Sequence, residues 1–311
     1  MHLGVPQGGN PLDGEKGEEM KGRILRYALT TIVAALAVWG VIAVHNWNAR
    51  RAKVLERRAE LERLGLPGDG TSDFVPLPAI LPHNATAARI GADLFIDRRL
   101  ARASRRTCSS CHWLNMGGAD GKMHAGRLTR PFVNVALATR FLGDGSLTNI
   151  ADVVALMIEN GDFAGGGTLG DVAARLAADE PLAARFEAAY SSPPSAANVV
   201  DAIAQYSRTL LSAGRPFDRS FGGDQNALAA LEREGMDLFK RRGCLKCHDG
   251  PGLGGTKVHD GRKVSALRGL GQRNVYLSGK CTDIGAVLAY MPAGELDENE
   301  RAAFVAFLKS L

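Results

Sequence analysis

Alternating apolar and polar runs of the kind that build half-buried strands are nearly absent from this chain, which argues against a sheet-based fold. Low-complexity tracts are missing as well. With 45% hydrophobic and 23% charged residues, the 311-residue chain has the composition of folded globular material and length for two modest domains. The formal net charge is +5, yet no basic stripe interleaved with aromatics occurs, so nucleic acid is not an expected partner. Cysteine is scarce at 5 residues, and no βαβ pattern surrounds either C-x-x-C pair, which weighs against a thioredoxin-like redox motif.

One long apolar run is present. Tyr27 to Val44 carries no charged side chain and has about the length of a bilayer-spanning helix. It reads as a transmembrane anchor or the core of a signal peptide. A small-x-small site stands at Ala35-Leu36-Ala37, but the run continues well past it, which favours an uncleaved anchor. Met20, with Lys21, Arg23 and Arg26 behind it, reads as a second translation start with a positive n-region. Lys16, Lys21, Arg23 and Arg26 on one flank are outnumbered by Arg50, Arg51, Lys53, Arg57, Arg58 and Arg63 on the other, so charge counting points the bulk of the chain inward.

The remaining periodicity is helical. Arg51 to Leu64 mixes charges of both signs and reads as an exposed helical stalk, after which Pro67 to Pro82 breaks helix repeatedly and reads as a linker. Ile150, Val153, Val154, Met157 and Ile158 share one helix face, with Thr148 as the expected N-cap. Val199 to Leu211 makes a second stripe ahead of Gly214 and Pro216. In the last segment Asp297 and Glu300 form a capping-box pair ahead of Phe304, Phe307, Leu308 and Leu311. The expected fold class is all-α, with two cytochrome c-like haem domains after an N-terminal transmembrane helix. The expected boundaries are a cytoplasmic segment at 1–26, the anchor at 27–44, stalk and linker at 45–85, a first haem domain at 86–218 and a second at 219–311.

That expectation rests on two C-x-x-C-H segments, Cys108, Cys111 and His112, then Cys244, Cys247 and His248. In such a segment the thiols add to haem vinyl groups as thioethers and the adjacent His is placed beneath the iron. A four-cysteine zinc site is the competing reading, but it does not require a His directly after the second Cys. Two covalently bound haems c are therefore the expected cofactors. Because haem c is attached outside the cytoplasmic membrane in bacteria, the region after Val44 is expected in the periplasm, against the charge count. Cys281 belongs to neither pair and reads as a buried, apolar-like residue.

Met291, followed by Pro292 and the terminal helix, is the expected sixth ligand of the second iron, with Tyr290 as competitor. A thioether opposite His raises the reduction potential and suits electron transfer. For the first haem His124, in the Gly-rich segment after Cys111, is the leading candidate, ahead of His83 and His259.

These residues resemble the bacterial di-haem cytochrome c peroxidase and MauG superfamily. The similarity runs through Gly91 to Leu100 into C-S-S-C-H-W-L-N-M-G-G-A-D-G, through Arg208 to Arg219, and through Ala266-Leu267-Arg268 to Met291, covering about residues 86–311. The resemblance implies a high-potential second haem where electrons arrive and a low-potential first haem where hydrogen peroxide is reduced to water, with His124 as its displaceable ligand. It implies a small periplasmic donor, a cytochrome c or a cupredoxin. The family moves a proton between the peroxide oxygens with a Gln and a Glu. Here Val153 stands at the Gln position, so only Asp162 or Glu159 is left for that work. Gly143 replaces the Trp that lies between the family's haems. Arg273 and Val275 stand where a Thr and a Pro would offer oxygens to an interdomain calcium, so calcium is not expected and the Arg charge is its natural substitute. Three functions follow in order of expectation: a membrane-anchored peroxidase, a di-haem electron carrier without peroxide chemistry, and a MauG-like oxidase of a protein partner. The last is disfavoured by Met291 and Gly143.

Overall fold

The computed structural model describes residues 11–63, 74–101, 106–160, 167–274, 276, 280–292 and 294–311. The chain divides into two units, Met1–Lys53 and Val54–Leu311. Helix α1 spans Pro11–Arg63. Its stretch Ala28–Ala49, mean hydropathy 2.0, is long and apolar enough to cross a membrane or to serve as a signal sequence. Leu29, Val33, Leu36, Val41 and Val44 are all exposed there among the described residues. Just beyond, the Arg51 guanidinium lies 5.4 Å from the Trp47 ring centre, a cation over an aromatic face of the kind favoured at a membrane boundary.

The second unit is mostly helical and built on a repeated theme. Helices α2 (Ala85–Phe95), α3 (Ile150–Glu159), α4 (Leu169–Ala177), α5 (Glu180–Tyr190) and α6 (Ala196–Ser207) supply one core. Helices α7 (Pro216–Phe221), α8 (Ala230–Arg241), α9 (Ile284–Leu288) and α10 (Glu298–Ser310) supply another. The N-cap of α3 is Asn149, whose side chain accepts from the Ala151 N–H at 3.0 Å. Thr148, the residue expected there, is buried instead. Leu210 and Leu211 continue the stripe of α6 past its end at Ser207. The capping box of α10 forms as expected, with Asp297 accepting from the Glu300 N–H at 2.8 Å.

In each core a glycine lets two helices meet. A Cβ on Gly91 would stand 1.9 Å from the carbonyl oxygen of Ala202, bringing α2 against α6; one on Gly235 would stand 2.0 Å from that of Ala303, bringing α8 against α10. One turn later an aromatic pair closes each contact: Phe95 against Tyr206 at 5.5 Å and Phe239 against Phe307 at 5.4 Å, both edge to face.

The sheet content among the described residues is two hairpins of matching design. Strands β1 (Met123–His124) and β2 (Arg127–Leu128) turn through Ala125 and Gly126, while β3 (Val258–His259) and β4 (Arg262–Lys263) turn through Asp260 and Gly261. All four turn residues have positive φ, the tight two-residue turn that matches strand twist.

Part of the proline-rich linker is structural. Phe74 is 5% exposed and its ring meets those of Phe217, Phe239 and Phe307, while Leu77 and Leu81 pack on Ala136 and Leu137. Arg268, 1% exposed, clamps this segment: one terminal nitrogen meets Asp218 Oδ1 at 2.6 Å, the other donates to the Val75 carbonyl, and its guanidinium lies 4.4 Å from the Phe217 ring centre.

Candidate haem centres

The two C-x-x-C-H segments each fold as a short turn that follows a core helix, and each delivers its imidazole to an aromatic wall. His112 lies 6.4 Å from the Phe95 ring and 5.5 Å from Phe132; His248 lies 6.3 Å from Phe239. His112 Nδ1 sits 2.9 Å from the Gly118 carbonyl oxygen, and His248 Nδ1 sits 3.2 Å from that of Leu253. Those carbonyls fix the tautomer with the proton on Nδ1 and leave Nε2 as the free ligand atom. Burial pushes both imidazoles below their usual range, which favours the neutral form that binds iron. Cys108, Cys111, Cys244 and Cys247 are all free of disulfides, and burial pushes the Cys108 thiol up to about 12 and raises Cys111 and Cys244 as well. Four unpaired thiols beside two oriented neutral imidazoles fit two thioether-bound haems.

Near each imidazole is a buried carboxylate that sequence patterns did not single out. Asp120, 5% exposed, takes the Lys122 N–H at 3.0 Å and lies 2.7 Å from His124 Nε2. Asp249, 1% exposed, accepts from Thr256 Oγ1 at 2.7 Å and pairs with Lys257 at 2.7 Å. Cys111, Asp120 and His124 place ligand atoms within 4.8 Å of one another. A thioether at Cys111 would consume that sulfur, which argues against a separate metal site formed by the trio.

The other residues named from sequence are scattered. His83 Nδ1 lies 2.8 Å from the Leu81 carbonyl oxygen, and the exposed ring of His259 lies 3.5 Å from Asp260. Met291 is half-buried in the turn after α9, beside the exposed Tyr290, whose ring faces Lys280 at 5.8 Å. Val153 is half-buried on α3, and Glu159 is exposed at its end, where Oε1 accepts from the Leu169 N–H at 3.2 Å. Asp162 and Val275 lie outside the described residues. Cys281 is 5% exposed among apolar neighbours. Arg273 donates to the carbonyls of Ala266 at 3.2 Å and Arg268 at 2.9 Å.

Within this one unit, the part built on the first core and carrying Cys108 and the part built on the second core and carrying Cys244, here called its two modules, meet along residues 137–145 and 252–263. Thr139 and Arg140 donate backbone N–H groups to the Gly255 carbonyl at 3.1 and 3.0 Å, and the Lys263 N–H donates to the Gly143 carbonyl at 2.8 Å. A Cβ on Gly145 would stand 2.5 Å from Val258 Cγ2.

Residues 85–226 match the family model described as di-haem cytochrome c peroxidase. Cytochrome c551 peroxidase of Nitrosomonas europaea is 34% identical over 191 residues, 58% of this chain and 57% of that protein. Cytochrome c peroxidase Ccp of Escherichia coli is 33% identical over 188 residues, 58% of this chain and 40% of that protein. The chain thus spans about half the length of these two relatives. The methylamine utilization protein MauG of Methylorubrum extorquens is 29% identical over 289 residues, 77% of this chain and 82% of that protein. In fold, a MauG-like protein associated with microbial copper homeostasis superposes with a TM-score of 0.64 at 19% identity over 77% of this chain and 93% of that one. The di-haem peroxidase BthA from Burkholderia thailandensis gives 0.61 at 12% identity over 79% and 94%. Residues 85–226 thus carry a di-haem cytochrome c peroxidase match, the chain is similar to cytochrome c peroxidases and MauG proteins over most of its second unit, and two covalently bound c-type haems are the cofactors this family implies.

Proposed function

We propose that the chain is a membrane-anchored periplasmic peroxidase, built as two cytochrome c-like haem domains. Cys108, Cys111 and His112 hold the first haem; Cys244, Cys247, His248 and Met291 hold the second. When bound, the haems supply one-electron chemistry, so that hydrogen peroxide, two electrons and two protons give two water molecules at the first centre. The electrons enter at the second centre from a small cytochrome c or cupredoxin. The apolar stretch Ala28–Ala49 anchors the chain in the inner membrane.

The observation that carries this reading is the hold of Asp120 on His124. With Nε2 of His124 engaged at 2.7 Å by a buried carboxylate, the imidazole is kept from acting as a permanent ligand through that nitrogen, which leaves a place for a small oxidant. The same pair stores and returns a proton beside the first centre, work that Val153 cannot do. Gly118 and Leu253 keep the two proximal imidazoles oriented through their carbonyls. The deciding experiment is steady-state peroxide reduction by the full haem-loaded chain with reduced small cytochrome c, before and after half reduction. Turnover supports the peroxidase; none in either state refutes it.

A second reading, a di-haem electron carrier, has its own support. Glu159 spends its carboxylate on the Leu169 N–H at the start of α4, and Gly143 offers no aromatic ring at the seam. A carrier keeps both irons six-coordinate in every oxidation state, so a high-spin signal on half reduction counts against it.

A further inference from the structure

Three cations converge on the seam between the modules, and among the described residues none of them has a carboxylate partner. Lys263 closes β4, and its backbone N–H is bound to the Gly143 carbonyl. Arg130 reaches the same point from the first module, one guanidinium nitrogen lying 3.0 Å from where a Gly143 Cβ would stand. Arg273 crosses in the other direction, its Cγ 3.3 Å from where a Gly117 Cβ would stand. The Nε of Arg273 is buried and has no hydrogen-bond acceptor.

Like charges gathered in a partly desolvated place repel one another and lose hydration. The Lys263 ammonium registers both, pushed down to about 8 by burial and by the charges of Arg130 and Arg273. A seam that assembles three cations without an internal counter-charge is complementary to an anion.

The backbone routes show which anion is at hand. The Arg130 backbone lies close to the His112 ring, and the backbone of Ser265, two residues beyond Lys263, lies close to the His248 ring. In each module, therefore, the segment leaving the hairpin passes its own proximal imidazole while carrying a cation to the seam. Each attached haem brings two propionate carboxylates, which need neutralising when they leave water.

We propose that Arg130, Lys263 and Arg273 form an anion seat between the modules that receives haem propionate carboxylates. The proposal rests on haem attachment and not on peroxide turnover. A cation beside a propionate favours the reduced iron, so the seat sets a reduction potential and electrostatically ties one module to the other.

The test is a spectroelectrochemical titration of the full haem-loaded chain, wild type against Lys263→Gln, Lys263→Arg and Arg130→Gln, with two haems per chain checked by absorbance. In the charge-removing variants at least one midpoint should fall by about tenfold in the reduction equilibrium, 59 mV for one electron. Lys263→Arg should stay at the wild-type value. Unchanged midpoints with full haem content would overturn the seat, as would haem loss in Lys263→Arg to the same extent as in Lys263→Gln. Repeating the titration with added inorganic phosphate separates the two sources of anion. Insensitivity of the wild type supports propionates, whereas a phosphate-dependent midpoint that Lys263→Gln abolishes would assign the seat to a free anion and overturn the propionate proposal.

Discussion

Nε2 of His124 lies 2.7 Å from Asp120, whose side chain is 2% exposed, so an imidazole close to Cys111 is held by a buried carboxylate. Burial alone would raise the Asp120 carboxyl, but hydrogen bonds from His124, the Lys122 N–H and Thr129 bring it below its usual range. A depressed acid stabilises the fold above its unfolded pKa, about 3.9, and loses that contribution as pH falls through the lower folded value.

Asp120→Asn is expected to cost about 1.5–3 kcal/mol at pH 7, the range for hydrogen bonds to a charged group, and to flatten the acid dependence of stability below about pH 4. Urea unfolding of the haem-loaded chain at neutral and acid pH measures both. The released His124 should also raise the low-spin fraction of the oxidised protein in electron paramagnetic resonance, and the double variant Asp120→Asn with His124→Ala should remove that rise.

Gly91→Ala and Gly235→Ala set two effects against each other. Helix propensity favours Ala over Gly by about 1 kcal/mol in a helix interior. Here the added carbon would stand 1.9 Å from the Ala202 oxygen or 2.0 Å from the Ala303 oxygen, and backbone does not yield as a side chain does. Overpacking therefore wins, with a net loss of about 1–3 kcal/mol in each variant and a lower thermal midpoint by circular dichroism. An unchanged or raised midpoint would show that the helix pairs are not in such close contact.

Arg268→Met tests the clamp across the second core. It leaves Asp218 buried without its cation and frees the Val75 carbonyl, so a loss of about 3–5 kcal/mol in denaturant unfolding is expected. The paired variant Arg268→Met with Asp218→Leu should recover part of it, since the cost lies in the orphaned charge.

Local features of the chain were legible in sequence and distant pairings were not. The C-x-x-C-H segments and the Asp297/Glu300 box are readable because all their partners lie within a few residues. Asn149 took the cap expected of Thr148 because both residue types cap well and only burial of Thr148 separates them. Phe74 and Leu77 sit in a stretch whose prolines rule out helix, but they say nothing against burial of an extended segment. Arg268 finds Asp218 50 positions away, and Arg130 approaches Gly143 through the fold, contacts that no periodicity encodes. Asp120 and Asp249 look like ordinary loop acids until their burial is known.

Met291 offers the most direct test of the second centre. It is half-buried just after α9, its N–H bound to the Leu288 carbonyl at 3.1 Å, so its backbone is tied to the end of that core helix. A thioether opposite imidazole raises a haem potential and a second imidazole does not, because sulfur stabilises the reduced iron. Met291→His should therefore keep the second iron low-spin while lowering its midpoint, and Met291→Ala should open it to added ligands. The neighbour Tyr290, 58% exposed, is the control. If Tyr290→Phe rather than Met291→Ala changes the spin state of the oxidised protein, the phenolate is the ligand, and the potential of this centre would then lie well below that of a His/Met haem.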